Sequence, residues 1–281
     1  MPKQLEKYQQ IERSIITTYR KTLWSPFVLA VKKYQLIQAG DKIAVCISGG
    51  KDSMLLAKLM QELQRHSEVP FELIYLVMDP GYAPENRAKI EENAKLLNLP
   101  ITVFESDVFE AADSACATNP CYLCARMRRG HLYAKAKELG CNKIALGHHK
   151  SDVIETTLMG MLYGGQIQGM LPRIKSSNFE GMELIRPMYC ILENDVLRWK
   201  EYNGLQFIAC ACSFVRNVTG SDDDTFSARK RVKELIAELK KENPNVENNI
   251  FQSIHNVQLD TLAEFKQDNV KHNFLEKFTN T

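Results

Sequence analysis

The sequence predicts an α/β fold in which a mostly parallel sheet is covered by helices on both faces, with further helices at both ends of the chain. Two observations support this class. Short apolar runs alternate along the chain with segments of helical periodicity, a pattern typical of parallel sheets. The first of these runs, Lys42 to Ile47, leads through a glycine-rich turn directly into one of the helical segments, as in α/β phosphate-binding units.

The elements follow in order. Leu55, Leu59 and Leu63 recur at helical spacing after the glycine turn, and they predict a helix there. The other predicted strands are Phe71 to Val77, Ile101 to Phe104 and Lys143 to Leu146. The other predicted helices are Leu5 to Thr22, Glu85 to Leu97, Tyr122 to Leu139, one from about Ser151 or Asp152 to Tyr163, Ser227 to Lys241, and Val246 to Phe265. Residues 165–190 are rich in Gly and Pro and predict an excursion from the sheet.

The composition of the chain narrows the classes of protein to which it can belong. The chain has 281 residues, 44% of them hydrophobic and 25% charged, with a formal net charge of +2. A net charge of this size is too small to indicate a polyanionic partner such as a nucleic acid. No apolar run approaches the ~20 residues of a membrane span, and residues 1–19 lack the apolar core of a secretory signal. We therefore expect a cytoplasmic protein, in which eight cysteines serve as thiols or metal ligands.

We expect three parts in the chain: an N-terminal helical extension over residues 1–34, an α/β domain with the glycine turn and the cysteine cluster over 35–220, and a basic helical segment over 221–281. No internal repeat or low-complexity stretch is present.

The glycine turn reads Ser48-Gly49-Gly50-Lys51-Asp52-Ser53. Glycines let a backbone approach a ligand closely, and a helix N-terminus offers free amides and the positive end of the helix dipole. A lysine and two hydroxyls add donors for a phosphate or pyrophosphate. The turn is not the common P-loop, because Val45 stands where that motif needs Gly and Asp52 where it needs Ser or Thr. An acid at this position suits a Mg²⁺ ion that bridges to the phosphates.

A second polar segment, Gly147-His148-His149-Lys150-Ser151-Asp152, follows the fourth predicted strand. Ligands of open α/β sheets bind at that edge, so Asp152 is a candidate to hold Mg²⁺ or to orient a substrate. A helix cap is an equally good interpretation of its position. His148 and His149 are candidates to touch a nucleotide, but they do not make a metal site by themselves.

Four cysteines stand at short spacings: Cys121 and Cys124 form a C-x-x-C, and Cys210 and Cys212 a C-x-C. Thiolates spaced in this way bind a soft metal or an iron–sulfur cluster, although a redox pair or two packed thiols also fit a C-x-x-C. The remaining cysteines are interpreted as small, buried or neutral residues; they are Cys46, Cys116, Cys141 and Cys190.

The turn of residues 48–53, placed after a first strand, resembles the signature of the PP-loop ATPases, the N-type ATP pyrophosphatases. Within that superfamily the chain is similar to the tRNA 2-thiocytidine synthetases, from about Gly40 to Asn256. The segments that support the resemblance are Pro120-Cys121-Tyr122-Leu123-Cys124, Arg128-Arg129-Gly130, Gly147 to Asp152, Tyr163-Gly164-Gly165, Gly169-Met170-Leu171-Pro172 and Ile185-Arg186-Pro187.

The resemblance implies a reaction. ATP and Mg²⁺ are the expected cofactors, a base carbonyl attacks the α-phosphate, and pyrophosphate leaves. Lys51, with the amides of Gly49, Gly50 and Ser53, stabilises the departing charge. The resemblance also implies that Met78 and Gly147 lie near the nucleotide, and it favours a functional role for Asp152.

The resemblance further implies a [4Fe–4S] cluster on Cys121, Cys124 and Cys210, with one iron left open to present a sulfide that displaces AMP. Where the family has C-x-x-C followed by Gly-Ser-Gln, this chain has Cys210-Ala211-Cys212 before Ser213. The departure leaves Cys212 open as the third ligand. It also leaves open a fourth ligand and, with it, a zinc site.

The expected partners follow from the same resemblance: a tRNA whose cytosine is thiolated, a sulfur donor, and a second copy of the chain in a homodimer. Three basic clusters are candidate phosphate contacts; they are Arg126 with Arg128, Arg129 and His131, then Arg229 with Lys230, Arg231 and Lys233, and Lys32 with Lys33. Solvated helix faces explain these clusters equally well. Asp222-Asp223-Asp224 weakens the second of them.

Three other functions stay open. The same chemistry would serve thiolation of another base or a small molecule. The tRNA lysidine synthetases share the glycine turn but have no use for Cys121 and Cys124. A zinc-stabilised protein that binds nucleotide or RNA without catalysis is the non-enzymatic alternative.

Overall fold

The computed structural model describes residues 5–106, 120–208 and 224–278. Side chains of residues 120–125, 224–227 and 277 lie outside this description.

Helices and strands alternate through most of the chain. The helices are α1 (Lys7–Ile16), α2 (Ser25–Lys33), α3 (Lys51–His66), α4 (Pro84–Leu96), α5 (Pro120–Glu138), α6 (Lys150–Gly164), α7 (Glu193–Tyr202), α8 (Asp224–Glu242) and α9 (Val246–Ser253). The strands are β1 (Lys42–Ile47), β2 (Glu72–Asp79), β3 (Ile101–Glu105), β4 (Lys143–Ala145), β5 (Arg173–Lys175), β6 (Glu183–Ile185), β7 (Glu264–Gln267) and β8 (Val270–Asn273).

Six strands form one sheet in the order β3-β2-β1-β4-β6-β5. All neighbours are parallel except β5, which pairs antiparallel with β6 at one edge. The chain runs outward from β1 to β3 and then returns to place β4 on the other side of β1. The strand order therefore reverses between β1 and β4, and ligands of open α/β sheets bind at such a reversal.

Strand β1 shows why the sheet is covered on both faces. Ile43, Val45 and Ile47 belong to one buried cluster, whereas Ala44 and Cys46 belong to a second. Successive side chains of a strand point to opposite faces, so an uninterrupted apolar strand needs a core on each side. The predicted fold class is confirmed.

Three sequence predictions of elements are wrong in part. Residues 165–190 hold β5 and β6, which extend the sheet instead of leaving it. Each is only three residues long, too short to show a periodicity. The predicted first helix ends at Ile16 and is followed by a separate π-helical turn over Arg20–Trp24.

The last predicted helix, Val246 to Phe265, ends at Ser253. Strand β7 pairs with β8 as a hairpin instead. Asp268 and Asn269 form its turn with φ of 51° and 66°, the conformation that two-residue hairpin loops require and that Asp and Asn tolerate. This pair was the missed signal.

The chain divides into two compact units. One comprises Met1–Val153 and Met170–Asp224, and the other Ile154–Gly169 and Thr225–Thr281. The six-stranded sheet belongs to the first unit and the β7–β8 hairpin to the second. None of the helices in the described residues combines the length and the apolar character that a bilayer crossing demands.

A buried ion pair holds the edge of the sheet opposite the strand ends that carry the glycine turn. Lys143, at the start of β4, donates to Asp41 at 2.6 Å and to the Leu36 carbonyl at 3.0 Å. Asp41 also accepts from the Gln38 amide at 2.6 Å and from the Asn142 side chain at 2.7 Å. Both charged side chains are almost fully buried, so removal of Lys143 leaves the buried Asp41 carboxylate without its opposite charge.

We expect Lys143→Met to lower the free energy of unfolding by about 3 kcal/mol, the lower end for breaking a buried pair. The matched control is Lys42→Met, whose pair with Glu72 spans 3.7 Å between partly exposed side chains and is worth less than about 1 kcal/mol. Urea denaturation of both variants provides the measurement. Equal losses in the two would contradict the special role of the buried pair.

Candidate active site

The turn after β1 has room only for glycine at its second residue. Gly49 has φ of +83°, and a Cβ atom there would lie 2.5 Å from Ile208 Cδ1 and 2.6 Å from Ile90 Cγ1. Gly50 then forms the N-cap of α3. The chain therefore bends sharply from strand to helix, and the free amides of the helix N-terminus lie at the carboxyl edge of the sheet.

The Ser53 hydroxyl braces this turn from inside. It donates to the Gly50 carbonyl at 3.0 Å and accepts from the Ser48 amide at 3.1 Å, and the Ser48 hydroxyl lies 3.2 Å away. Ser53 is buried, whereas Ser48 is exposed. Of the two hydroxyls that the sequence offered to a phosphate, Ser53 maintains the shape of the turn and Ser48 faces solvent.

Lys51 lies between two carboxylates. Its ammonium donates to Asp52 Oδ2 and to Glu193 Oε1, each at 3.0 Å. Burial lowers the pKa of Lys51, but Asp52 and Glu193 together outweigh that effect and raise the pKa above its ordinary value. The side chain is therefore a fixed positive charge at the N-terminus of α3. Glu193 was missed by sequence reasoning because it lies 142 residues away along the chain and belongs to no motif.

Asp52 keeps one oxygen uncommitted. Its Oδ2 accepts from Lys51, whereas its buried Oδ1 has no hydrogen-bond partner within the described residues. Mg²⁺ is usually held by one or two carboxylates together with substrate phosphates and waters. A single free carboxylate oxygen beside a phosphate-binding turn therefore fits that ion. Among the described residues no three His, Cys, Asp or Glu side chains gather at a metal-binding distance, so these residues alone supply no closed cage for an ion.

A buried histidine links the two polar segments. His149 Nε2 lies 3.6 Å from Asp52 Oδ1, and its Nδ1 lies 3.2 Å from Asp152 Oδ2. Asp152 Oδ2 also accepts from the His149 amide at 2.9 Å, which is the reach-back contact of a capping box at the start of α6. Asp152 is thus a helix cap and a neighbour of the glycine turn through His149. The sequence had left these two roles as alternatives.

Gly147 brings β4 against the first turn of α3. A Cβ atom at this position would lie 3.1 Å from the backbone carbon of Asp52 and 3.1 Å from the backbone nitrogen of Ser53. Backbone atoms cannot move aside as a flexible side chain does. The absence of a side chain at Gly147 therefore sets the distance between the two halves of the site.

Met78 lies at the carboxyl end of β2 and is buried. The β1–β2 register ends with Ile47 opposite Val77, while Met78 still pairs with Phe104 of β3. Its backbone is therefore one residue beyond the end of β1, on the side of the glycine turn.

Asp79, which follows Met78, was not singled out by sequence reasoning. It accepts from the Gly81 and Tyr82 amides at 3.0 and 2.8 Å and from Arg87 at 2.6 Å. Burial raises the pKa of Asp79, but these donors together lower it below the ordinary value. Asp79 therefore stays ionised and fixes the loop after β2.

On the other side of β4, Arg186 follows β6 and is 4% exposed. Burial and, after it, the charge of Arg129 lower the pKa of Arg186 to about 10. Burial and then the charge of Arg186 lower the pKa of His148 to about 4, against a smaller opposing effect of Asp152. His148 is therefore neutral at physiological pH. The sequence marked Arg186 only as part of a motif, whereas it offered His148 as a candidate contact to a nucleotide.

Two of the three cysteines of the candidate cluster, Cys121 and Cys124, lie at the start of α5. Positions three apart on a helix share a face, and this spacing suits two ligands of a single cluster. Cys116, Cys210 and Cys212 lie outside the described residues, as do the side chains of Cys121 and Cys124.

Burial makes two other cysteines chemically unreactive. Cys46 and Cys141 are buried, as expected, and Cys190 is half-buried. Burial raises the pKa of the Cys46 thiol to about 12 and also raises that of Cys141. A buried thiol with a raised pKa is neither a good nucleophile nor a ready metal ligand.

The three basic clusters differ in how far nearby carboxylates neutralise their positive charge. Arg229 and Lys233 of α8 each lie 3.5 Å from the buried carboxylate of Glu155. Lys32 and Lys33, at the end of α2, are exposed. Arg126 and Arg129 of α5 are exposed too. The cluster on α8 is therefore partly neutralised within its own unit of the chain.

A strand, a glycine turn and a helix N-terminus, with a lysine and a carboxylate beside them, form an arrangement that suits a nucleotide phosphate. A family model described as a PP-loop domain matches residues 24–218. The chain belongs to this family.

Curated relatives narrow the comparison. The chain is 34% identical over 241 residues to the tRNA-cytidine(32) 2-sulfurtransferase of Vibrio cholerae, covering 84% of this chain and 74% of the relative. It is 36% identical over 234 residues to the enzyme of that name from Geobacter sulfurreducens, covering 82% and 87%. The resemblance to this group that the sequence motifs predicted is confirmed.

A solved structure shares the fold. The U34-tRNA thiolase NcsA from Methanococcus maripaludis, determined with its [4Fe-4S] cluster, superposes with a TM-score of 0.65. The match covers 86% of this chain and 80% of that chain at 21% sequence identity. At this identity the match supports the α/β architecture.

We expect Gly147→Ala to weaken ATP binding at least about tenfold, because the new methyl group must push the backbone of Asp52 and Ser53 out of place. The matched control is Gly164→Ala on α6, where no atom lies within 4 Å of a Cβ position. Calorimetric titration with a non-hydrolysable ATP analogue provides the measurement. Wild-type affinity in the Gly147 variant would show that the close approach does not shape the site.

Proposed function

We propose that this protein is an ATP-dependent tRNA thiolase that converts a cytidine to 2-thiocytidine. The observation that carries the proposal is the free Asp52 oxygen beside Lys51 at the N-terminus of α3. The curated relatives support the choice of substrate, since their names specify cytidine 32 of tRNA. We take the same nucleotide as the target here.

The first chemical step is adenylation. The O2 oxygen of the base attacks the α-phosphorus of ATP, the bond to the bridging oxygen breaks, and pyrophosphate leaves. Charge develops on that pyrophosphate, and the amides of the α3 N-terminus together with Lys51 stabilise it. These donors are held in place before the reaction by the Ser53 hydrogen bonds, so little reorganisation accompanies catalysis.

Asp52 is the residue that would hold Mg²⁺, which when bound neutralises phosphate charge. His149 orients the Asp52 carboxylate, and Asp152 in turn orients His149. In this proposal Lys51 and Asp52 are the groups nearest the reaction, and Asp152 acts through His149. Met78 and Gly147 line the nucleotide side of the site through their backbones.

In the second step a sulfur atom replaces the adenylated oxygen at C2 of the base, and AMP departs. Cys121, Cys124 and Cys210 would hold a [4Fe–4S] cluster, which supplies a bound sulfur for transfer. Cys212 remains the alternative third ligand. The cluster is supported by the placement of Cys121 and Cys124 in one helical turn.

The remaining assignments follow from this chemistry. The tRNA is the macromolecular substrate. The sulfur donor is free sulfide, or a persulfide carrier together with a thiol that supplies the two electrons needed to reduce the persulfide sulfur. We place the enzyme in the cytoplasm, as a homodimer, and we retain the three-part division of the chain at residues 34 and 220. Thiolation of another base or of a small molecule is the second candidate, and pyrophosphate release that does not depend on tRNA would favour it.

Asp52→Asn removes the metal-binding charge but keeps the shape of the side chain. We expect tRNA-dependent pyrophosphate release to fall about 100-fold or more, because a preorganised charge interaction at the reacting phosphates is lost. Glu92→Gln, at an exposed carboxylate of α4, is the control and should keep the wild-type rate. A coupled pyrophosphate assay measures both. An unchanged rate in Asp52→Asn would refute the assignment of the metal.

The cluster is tested by anaerobic purification. We expect a brown protein with about four irons per chain that loses iron and colour in Cys121→Ser. The control, Cys190→Ser, changes a half-buried cysteine outside the cluster and should keep the iron. Metal analysis and absorption spectra are the measurements. Stoichiometric zinc without iron would replace the cluster by a structural site and favour a binding protein without sulfur transfer.

A further inference from the structure

A second polar site lies on the side of β4 away from the glycine turn. The Leu146 amide donates to the Ile185 carbonyl at 3.0 Å, which continues the pairing of β4 with β6 beyond their last strand residues. Arg186 is therefore adjacent to Gly147 and His148 at the same carboxyl edge of the sheet. Its backbone amide is fixed by the Pro172 carbonyl at 2.9 Å.

Donors at this site lack acceptors. Arg186 donates from Nη1 to the Leu171 carbonyl, but its buried Nε has no hydrogen-bond partner among the described residues. The same holds for His148 Nδ1, which is also buried and without a partner in the described part of the chain. A neutral imidazole presents an N–H at that nitrogen in one of its tautomers. A buried donor without an acceptor costs free energy comparable to a lost hydrogen bond. These orphaned atoms indicate a ligand.

The positive charge of this site also indicates that it binds a ligand, and an anionic one. Arg129 of α5 acts electrostatically on both Arg186 and His148. In the part of the chain that the structure describes, no carboxylate lies within ion-pair distance of Arg186 or Arg129. Asp152, the carboxylate that acts electrostatically on Arg186, is engaged with His149. A buried guanidinium that feels the positive charge of a second one favours an anion beside it.

We propose that Arg186, Arg129 and His148 form a phosphate-binding subsite, and that it takes a phosphodiester of the RNA strand next to the reacting nucleotide. Guanidinium groups bind phosphate through paired, charge-assisted hydrogen bonds. Strand β6 lies two strands away from β1, about 10 Å at the usual spacing. A phosphate at Arg186 is therefore distinct from the pyrophosphate over the glycine turn.

The proposal deepens the proposed function and rests on it for the identity of the polyanion. A phosphate of the nucleotide is the other source with the same chemistry. The separation of the two strands favours the RNA, because the glycine turn already accounts for the departing phosphates. Arg129 is the member that sequence reasoning had assigned to an RNA surface, whereas Arg186 and His148 had no such role.

The test measures binding instead of turnover. Arg129→Gln, Arg186→Gln and Arg186→Lys are titrated with an unmodified tRNA transcript at several salt concentrations, and separately with α,β-methylene-ATP. We expect each Gln variant to weaken tRNA binding about tenfold and to reduce the salt slope by about one, with nucleotide affinity unchanged. Arg186→Lys keeps the positive charge but loses the planar guanidinium that forms paired hydrogen bonds with phosphate. Its tRNA affinity should therefore fall less than that of Arg186→Gln.

Arg198→Gln is the matched control, because it removes a largely exposed guanidinium with only a 3.9 Å contact to Asp195. If both Arg129→Gln and Arg186→Gln bind tRNA and nucleotide as this control does, the subsite is refuted. Weakened nucleotide binding with unchanged tRNA binding would keep the phosphate site but overturn the RNA assignment.

Two further measurements separate failure of this subsite from misfolding and from failure of the proposed function. Thermal melting identifies an Arg186 variant that does not fold, and Arg129, being exposed, still tests the proposal in that case. Wild-type pyrophosphate release with tRNA is measured in parallel. Its absence would count against the proposed function, whereas normal release with wild-type binding in the variants counts only against the subsite.

Discussion

The contact between Gly147 and the first turn of α3 is the constraint on which the site depends. It holds the end of β4 within van der Waals distance of the Asp52 and Ser53 backbone, at the point where the strand order reverses. Because of that approach, His149 reaches Asp52 and connects it to Asp152. The two polar segments, nearly 100 residues apart in the chain, thereby become one site.

Much of this was accessible from the sequence, and for physical reasons. Strand β1 is apolar throughout because it is buried on both faces, and Gly49 is required by its positive φ and by Ile90 and Ile208. Local features of this kind leave a local signature. The elements that were missed are three-residue strands and a hairpin, whose periodicity is too short to recognise.

The site was harder to predict where its chemistry arises from distant residues. Glu193 meets Lys51 only because α7 follows β6 and returns to the edge of the sheet, and no residue pattern near Glu193 marks that contact. Asp152 is a different case, because its position in the sequence is compatible with a helix cap and with a functional role. The structure contains the capping contact to the His149 amide and the contact to the His149 ring. Arg186 was visible as part of a motif, but its unpartnered nitrogen is a property of the folded state.

The Lys51 bridge has a further consequence for selectivity among nucleotide forms. Before any ligand arrives, the ammonium is already matched by the carboxylates of Asp52 and Glu193, so a bare triphosphate would meet two negative groups for one positive group. A triphosphate that already carries a divalent cation brings its own counter-charge to Asp52. At a site of this charge, electrostatic repulsion would favour a triphosphate already complexed with a divalent cation over the bare anion.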